Sequence, residues 1–420
     1  MTTEQKTRQG VFWAVTIGYG LFYVCRLSIN VLKKAMVEDG FLSESQLGII
    51  GSALFFSYAV GKLVNGFLAD RVNVRYFMSG ALLICALVNA ALSINLPFWL
   101  FVGLWALNGW FQSCGAPCSV ISLKQWFSGK NYGTMYGFWS ASHNLGEAIT
   151  FIFIAFVAGA LGWRMGFISA SILGLLGAAM IFFLLRQQPS AAVTNLSARE
   201  MQKSIGKKQA EVIRMPIIWV LALASAFMYI ARYAVNSWGI FYLEAQKSYT
   251  TVQAASLVSI SSVFGIIGTI GSGLVSDKVF KGDRVLMAVI TSILNLTSLA
   301  MFLFVPEGHY VLDVATMVLF GLSIGVLICF LGGLMAVDVA PAGAVGAAVG
   351  VIGIASYAAA GIQDILSGFL IEGRKVMNEA GIATYDFSAI RFFWIAAAAL
   401  SLLLLLALMF RKRRLDTRLS

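Results

Sequence analysis

Residues 11–32 read VFWAVTIGYGLFYVCRLSINVL, a run whose one formal charge is Arg26. A helix needs about 20 apolar residues to cross the hydrocarbon core of a bilayer, because each residue advances it by only about 1.5 Å. The run meets that length and predicts a membrane-spanning helix. An arginine near the centre of such a helix costs roughly 2.5–3.5 kcal/mol on insertion scales, so its presence points to a function.

Apolar runs of this kind recur along the whole chain. Of the 420 residues, 59% are hydrophobic and 12% are charged. Soluble domains carry about 25% charged residues, so this chain could not cover a soluble surface with charge. The runs lie at 11–32, 47–69, 77–95, 98–120, 134–160, 164–185, 216–242, 252–276, 285–305, 311–335, 344–370 and 389–410. They predict an all-α polytopic membrane protein with twelve transmembrane helices.

The longest polar stretch separates the first six runs from the last six. Residues 187–215 are basic and lack aromatic side chains, which is typical of a cytoplasmic linker. We therefore divide the chain into an N-terminal six-helix half at 1–186, the linker at 187–215, and a C-terminal six-helix half with a basic tail at 216–420. The polar residues 1–10 lead straight into the first run and show no cleavable signal peptide.

The net charge of +11 is distributed as in a membrane protein. With the N-terminus placed in the cytoplasm, 20 lysines and arginines flank the spans on that side and 7, including Lys33, flank them on the other. This bias follows the positive-inside rule and predicts that both termini are cytoplasmic. The basic tail 411–414 then serves as an anchor on membrane lipid, and no nucleic-acid partner is expected.

The two halves repeat one pattern of polar residues. Its two copies are Tyr23, Arg26 and Asn30 in the first span and Tyr229, Arg232 and Asn236 in the seventh. The arginines lie 206 residues apart, and a second pair, Asp70 and Asp277, lies 207 residues apart. Two pairs of matching residues with nearly the same separation along the chain indicate two parallel six-helix repeats. This is an architecture of transporters that bind substrate near the membrane midplane.

Residues 66–78, GFLADRVNVRYFM, resemble the loop motif of the major facilitator superfamily, and residues 273–284 resemble its degenerate second copy. The resemblance implies the major facilitator fold. It also implies a charge network at the helix ends that forms in one conformation of the carrier and breaks in the other. The residues assigned to this gating network are Asp70, Arg71, Arg75, Asp277 and Lys278.

The chain as a whole resembles the organophosphate:phosphate antiporter family, which includes hexose-phosphate and glycerol-3-phosphate carriers and a related hexose-phosphate sensor. The matching segments are Tyr23 to Arg26, Gly61-Lys62, Gly109 to Gln112, His143 to Gly146, and Arg232 with Asn236 to Gly239. The stretch 75–78 is similar to the sensor branch in particular. The resemblance implies a bacterial cytoplasmic membrane location and carriers that can work as monomers.

Arg26 and Arg232 are the central site candidates. A guanidinium group presents a planar fork of donors that matches phosphate, and it stays charged at any working pH. One arginine from each half would balance a phosphate dianion. The alternative is that each arginine pairs with a buried carboxylate, for which Glu147 and Asp364 are the clearest candidates. Without an anion, two unpaired arginines would disfavour return of the empty carrier, and exchange would follow.

Further candidates surround these two arginines. Lys62 would add positive charge, or else extend to the membrane surface. His143 is placed beside the substrate phosphate by the resemblance, with a packed core histidine as the alternative. Glu147 stands one turn after His143, where relatives usually have glycine, and Asp364 would bind hydroxyls or form a helix–helix hydrogen bond. The remaining predicted substrate contacts are Tyr23, Tyr229, Asn236 and Trp238.

The tyrosines can be ranked by helix geometry. Tyr23 and Tyr229 lie almost one turn before their arginines and share a face with them. Tyr233 follows Arg232 directly and points about 100° away from it. We therefore expect Tyr23 and Tyr229 to support the arginines.

The sequence excludes several other functions. It has two histidines and no metal-ligand spacing, and it lacks a phosphate-binding loop of the Gly-Lys-Ser type, so we expect no metal, no cofactor and no enzyme activity. Three functions stay open. One is exchange of a phosphate ester, such as a sugar phosphate, for inorganic phosphate by alternating access. The others are proton-coupled symport of an organic anion and sensing of hexose phosphate with a signalling partner.

Overall fold

A computed structural model of the protein describes residues 3–69, 71–127, 130–186, 210–280, 283–341, 344–377, 379 and 383–419. The first group of helices is α1 (Thr3–Glu38), α2 (Glu44–Ala69), α3 (Val74–Ala91), α4 (Phe98–Gln112), α5 (Gly115–Trp126), α6 (Lys130–Leu161) and α7 (Trp163–Leu184). Most of the predicted linker lies outside the described residues.

The second group is α8 (Pro216–Gln246), α9 (Thr251–Lys278), α10 (Arg284–Phe304), α11 (Tyr310–Cys329), α12 (Met335–Val339), α13 (Val345–Glu372) and α14 (Ser388–Leu419). A π-helical turn, Phe330–Leu334, joins α11 to α12. Strands β1 (Lys375–Met377) and β2 (Ala383–Tyr385) form an antiparallel hairpin between α13 and α14. We call the membrane side that holds the start of α1 and the end of α14 the terminal side.

In the described part of the chain, 11 helical segments are long and apolar enough to cross a membrane, with α11 and α12 counted as one. The remaining predicted run, 98–120, is divided at Ser113 and Cys114 into α4 and α5. Pro117 lies in the first turn of α5, where its missing N–H leaves no helical hydrogen bond unmade. The predicted helical membrane architecture is confirmed, with the fourth run broken in two.

The helices pack closely where glycines replace side chains. A Cβ atom added to Gly146 of α6 would lie 2.5 Å from the backbone oxygen of Gly20 of α1. One added to Gly368 of α13 would lie 2.5 Å from the backbone oxygen of Glu44 in α2. Small residues favour such close approach in membranes because dispersion contacts must replace the hydrophobic effect between helices. Glycines thus allow contact both within the first helix group and between the two groups.

This packing predicts the effect of adding a side chain to α6. Gly146→Val would push the α1 and α6 backbones apart, and overpacking of this kind typically costs about 1–3 kcal/mol. We expect a lower midpoint of thermal unfolding in detergent. Gly159→Val is the matched control, because Gly159 is exposed on the same helix and has open space where its Cβ would lie. Equal midpoints for the two variants would contradict the prediction.

Candidate substrate site between the two helix groups

A cavity of about 450 Å³ opens between α6 on one side and α8, α9 and α11 on the other. Its inner end lies at Glu147 and Arg232, and its outer end lies at Val337 in α12, on the terminal side. Gly332 and Gly333 of the π-helical turn also line it. The volume falls within the range of small-molecule sites, so the cavity can hold a compact organic ligand.

Arg232 is the cationic group of this cavity. It is 8% exposed, and its Nη2 lies 3.8 Å from Oε2 of Glu147. The guanidinium carbon lies 5.3 Å from the ring centre of Tyr233 and 5.7 Å from that of Tyr229. The separation from the carboxylate is longer than a hydrogen bond, so Arg232 keeps donors that can reach a ligand.

Glu147 connects α6 to the second helix group. Its Oε1 accepts hydrogen bonds from Nδ2 of Asn236 at 2.6 Å and from Oγ of Ser262 at 2.5 Å. The carboxylate is 5% exposed and lines the cavity. The alternative expected from sequence, that each arginine pairs with a buried carboxylate, therefore applies to Arg232.

Arg26 has different surroundings. It is 4% exposed, and its Nη2 donates to Oη of Tyr233 at 3.1 Å. No carboxylate of the described residues lies within 4.0 Å of its guanidinium nitrogens. Its guanidinium carbon lies within 6 Å of four ring centres, those of Tyr23, Phe55, Tyr58 and Tyr357. Aromatic faces attract such a cation, so this arginine is stabilised without a counter-ion.

Hydrogen bonds from neighbouring helices fix the position of α1 beside Arg26. Nδ2 of Asn89 and Nδ2 of Asn108 both donate to the backbone oxygen of Cys25 at 2.9 Å. Nε2 of Gln112 donates to the backbone oxygen of Phe22 at 2.8 Å. These amides from α3 and α4 hold the helix at the level where the arginine side chain leaves it.

Tyr233 lies between the two arginines. Its hydroxyl accepts from Arg26 of the first helix group, while its ring lies beside Arg232 of its own helix. The prediction that favoured Tyr23 and Tyr229 did not include the contact of Tyr233 with Arg26, because helix geometry relates only residues of the same helix. Tyr23 and Tyr229 do lie near their arginines.

Two further tyrosines, Tyr58 and Tyr357, were not identified from sequence. Both lie beside Arg26, with the Tyr58 ring centre 4.7 Å from its guanidinium carbon. The ring centre of Tyr357 also lies 5.5 Å from Nζ of Lys62. Tyr58 stands one turn before Lys62 in α2, a spacing that could have drawn attention to it.

His143 and Lys62 occupy different places. His143 lines the cavity, and its Nδ1 lies 2.5 Å from the backbone oxygen of Ser140. Because a carbonyl oxygen only accepts, this nitrogen carries the proton and Nε2 is left for other partners. Lys62 is exposed and lines a separate cleft of about 300 Å³ between α2 and α13.

Asp364 and Trp238 lie outside the cavity, in a closed cluster. Oδ1 of Asp364 accepts from Oγ of Ser237 and from Nε1 of Trp238, each at 2.6 Å, and lies 3.5 Å from Nζ of Lys33. Asp364 is 1% exposed and Trp238 and Lys33 are 0% exposed. The structure therefore does not place these predicted substrate contacts at the site. Lys33, counted from sequence among the membrane-flanking charges, is buried.

This cluster belongs to a set of contacts that close the side opposite the termini. Nζ of Lys375 and Oη of Tyr385 bind Oε1 of Glu44 at 2.9 and 2.7 Å. The backbone N–H of Ser45 donates to Oε2 of Glu372 at 2.8 Å, which caps the start of α2. Burial is the main cause that raises the pKa of Tyr385, and the hydrogen bond to Glu44 adds to it. The phenol therefore stays protonated and donates. The cavity is thus sealed on this side.

The predicted gating network is described only in part. Asp70 and the side chain of Asp277 lie outside the described residues, so their pairing stays a prediction. Arg71 and Lys278 are exposed. Nε of Arg75 donates to the backbone oxygen of Phe182, near the end of α7, where a cation suits the exposed carbonyls.

A helical membrane bundle with a central cavity lined by a buried cation and sealed on one side defines a membrane carrier. The chain belongs to the Major Facilitator Superfamily, whose family model matches residues 15–363, and within it to the organophosphate:phosphate antiporter family. This confirms the resemblance drawn from the sequence motifs.

Three relatives are similar to this chain over most of their length. The membrane sensor protein UhpC of Salmonella typhimurium is 30% identical over 373 residues, covering 85% of this chain and 84% of that protein. A probable hexose phosphate transport protein of Chlamydia pneumoniae is 32% identical, with 67% of each chain covered. The glycerol-3-phosphate transporter of Bacillus subtilis is 27% identical, with 88% of this chain and 87% of that protein covered.

Solved structures share the fold. A bacterial homologue of the human lysosomal transporter Spinster superimposes with a TM-score of 0.75 at 15% identity, covering 97% of each chain. A D-xylose–proton symporter gives a TM-score of 0.72 at 16% identity, covering 95% of this chain and 96% of the other. At these identities the likeness extends to the fold alone.

The Lys33–Asp364 pair can be tested by removing its charges singly and together. Removing one partner of a buried pair costs about 3–5 kcal/mol, because the other charge is left unpaired in a low dielectric. We expect Lys33→Met and Asp364→Asn each to lower the midpoint of thermal unfolding in detergent, and K33M/D364N to recover most of the loss.

Lys34→Met is the matched control for this cycle. Lys34 adjoins Lys33 but pairs at 2.9 Å with the exposed Glu38, and such pairs contribute at most about 1 kcal/mol. We expect only a small change in its midpoint. Losses that simply add in the double variant would show that Lys33 and Asp364 are not coupled.

Proposed function

We propose that this chain is a secondary transporter that exchanges a phosphate ester, such as a sugar phosphate, for inorganic phosphate by alternating access. The observation that carries the proposal is the pair of buried arginines, Arg26 and Arg232, contributed by different helix groups on either side of Tyr233. Arg232 lines a central cavity that is closed on one membrane side. A phosphate dianion carries a charge opposite in sign and equal in size to that of the two guanidinium groups together.

The arginines would bind the phosphate as the two helix groups close around it. Tyr233 now accepts from Arg26, and its hydroxyl can also donate, so it can serve a phosphate oxygen when the anion enters. The donors of Arg26 and Arg232 would then converge on one guest. A ligand bound by both groups favours the closed state, because it gains contacts there that neither open state offers.

The organic part of the substrate would occupy the polar wall of the cavity. Oδ1 of Asn236 is buried and has no hydrogen-bond partner in the described part of the chain, although the residue lines the cavity. An unmet acceptor of this kind suits a substrate hydroxyl. His143 Nε2, Asn144 and Ser140 lie along the same wall. Hydroxyl groups on a sugar phosphate would find several partners here.

The open side of the cavity is the terminal side. The excess of basic residues on that side supports a cytoplasmic orientation of both termini, and thus an inward-open state in a bacterial cytoplasmic membrane. Substrate movement would require the contacts at Glu44, Glu372 and Lys33 to open while the terminal side closes. Relatives described as carriers of hexose phosphate and glycerol-3-phosphate support the substrate class.

The arginine pair is tested by conservative replacement. Arg26→Lys and Arg232→Lys keep the charge and remove the two-pronged donor geometry. A hydrogen bond to a charged group contributes about 1.5–3 kcal/mol, so we expect self-exchange of labelled inorganic phosphate in proteoliposomes to fall by about tenfold or more in each variant.

Arg164→Lys is the matched control for the arginine variants. Arg164 pairs at 3.0 Å with Asp39 on the side opposite the termini, and both side chains are exposed. Phosphate exchange in this variant should equal that of the unmodified protein. Full exchange in both Arg26→Lys and Arg232→Lys would refute the phosphate-clamp proposal.

Sensing is the second candidate function, favoured by the similarity to a membrane sensor protein over 84% of that protein's length. A sensor would bind the same anion but need not move it across the membrane. The purified chain alone, reconstituted in liposomes, separates the two. Saturable phosphate exchange supports the carrier, whereas phosphate binding in detergent with no exchange in liposomes supports the sensor.

A further inference from the structure

The Glu147 carboxylate supplies an anion to the site from within the protein. It projects from α6, in the first helix group, and its three polar partners among the described residues, Arg232, Asn236 and Ser262, belong to the second. It therefore bridges the two groups in the manner expected of a bound substrate anion.

We propose that Glu147 is a tethered counter-ion that stands in for the substrate phosphate when the carrier is empty. The empty chain can then reorient, and net movement of phosphate accompanies exchange. This inference rests on the proposed transport function and refines it. It replaces the expectation from sequence that two unpaired arginines would hold the empty carrier on one side.

The location of Glu147 suits this role. It lies at the inner end of the cavity, where the helix groups pass from separation to contact. Nearby, Nδ2 of Asn30 donates to the backbone oxygen of Asn236 at 3.2 Å, and this bond links α1 to α8. One turn along α6 toward the termini, His143 already faces open space. A group at this boundary can keep its partners while the outer parts of the helices move.

The charge balance of the empty site follows from the contacts. Arg232 has Glu147 at 3.8 Å, and Arg26 has four aromatic rings and the Tyr233 hydroxyl. Neither guanidinium is left without a stabilising group when no substrate is bound. A closed, dry intermediate without cargo is therefore less costly than it would be with two bare cations in a low dielectric.

The same geometry makes Glu147 a competitor of the substrate. A phosphate that approaches Arg232 meets a second anion a few ångströms away, and like charges at this range repel. The carboxylate must give way or share Arg232 with the guest. Its presence should therefore weaken phosphate binding, and its neutralisation should strengthen it.

The test uses the full chain in proteoliposomes loaded with labelled inorganic phosphate, with potassium and valinomycin present to remove the membrane potential. Efflux into phosphate buffer measures exchange, and efflux into phosphate-free buffer measures net movement. For the unmodified protein we expect net efflux clearly above that of protein-free liposomes. For Glu147→Gln we expect exchange to persist and net efflux to fall by about fivefold or more.

Binding gives a second readout that does not need transport. In detergent, the affinity of Glu147→Gln for inorganic phosphate should be at least about fivefold higher than that of the unmodified protein. Fivefold is the lower end of typical couplings between two bound groups. Glu244→Gln neutralises a buried carboxylate that bonds Thr251 at 2.5 Å, and it serves as control.

The outcomes separate this inference from the transport proposal. An unchanged ratio of net efflux to exchange in Glu147→Gln, with unchanged phosphate binding, overturns the counter-ion role and leaves transport intact. Loss of exchange together with net efflux in a folded Glu147→Gln also overturns it. No exchange by the unmodified protein refutes transport, while the binding comparison still decides the role of Glu147. If Glu147→Gln does not fold, absence of net efflux from the unmodified protein overturns the inference.

Discussion

The burial of two guanidinium charges inside a membrane protein is the constraint on which the rest of this structure depends. An ion in a low dielectric needs either an opposite charge or a well-placed set of dipoles and rings. The chain uses both solutions, with rings beside each arginine and a carboxylate beside Arg232 as well. Arg26 is surrounded by aromatic faces, and Arg232 has a carboxylate nearby. The repeated sequence pattern thus places equivalent charges in surroundings that are not equivalent.

That asymmetry bears on how such a carrier works. In a symmetric site the substrate alone would provide the negative charge. Without substrate, the two cations would repel each other. Here Glu147 provides part of that charge from inside. Tyr233 contacts both arginines at the boundary between the helix groups. Under the proposed mechanism the site would have two states of charge balance, one with the phosphate bound and one without it, and Glu147 would contribute to the second.

Closure of the opposite side depends on polar contacts of a different kind. Glu44 and Glu372 accept hydrogen bonds that cross between the helix groups, and Asp364 pairs across the same boundary with Lys33 at 3.5 Å. Such contacts are directional and can be exchanged for contacts with water when the groups separate. The glycine-lined contact of α2 with α13 lets the backbones approach closely enough for these bonds to form. Tight packing and breakable hydrogen bonds together allow a seal that can reopen.

The sequence by itself determined the membrane architecture, the parallel repeat and the two central arginines. Apolar run length is a local property set by bilayer thickness, and a buried arginine stands out in any apolar run. The predicted fold and the phosphate-related family followed from these features and from short motifs. His143, Glu147 and Asn236 were also found in advance, and they do lie together along the cavity.

Only the tertiary structure decided which groups meet. The pairing of Lys33 with Asp364 joins residues 331 positions apart, and it moves an apparent membrane-flanking lysine and an apparent site carboxylate into one closed cluster. The contact of Tyr233 with Arg26 crosses 207 positions. Helical periodicity predicts neighbours on one helix, but it contains no information about which face of another helix arrives there. That depends on the packing of all the helices at once.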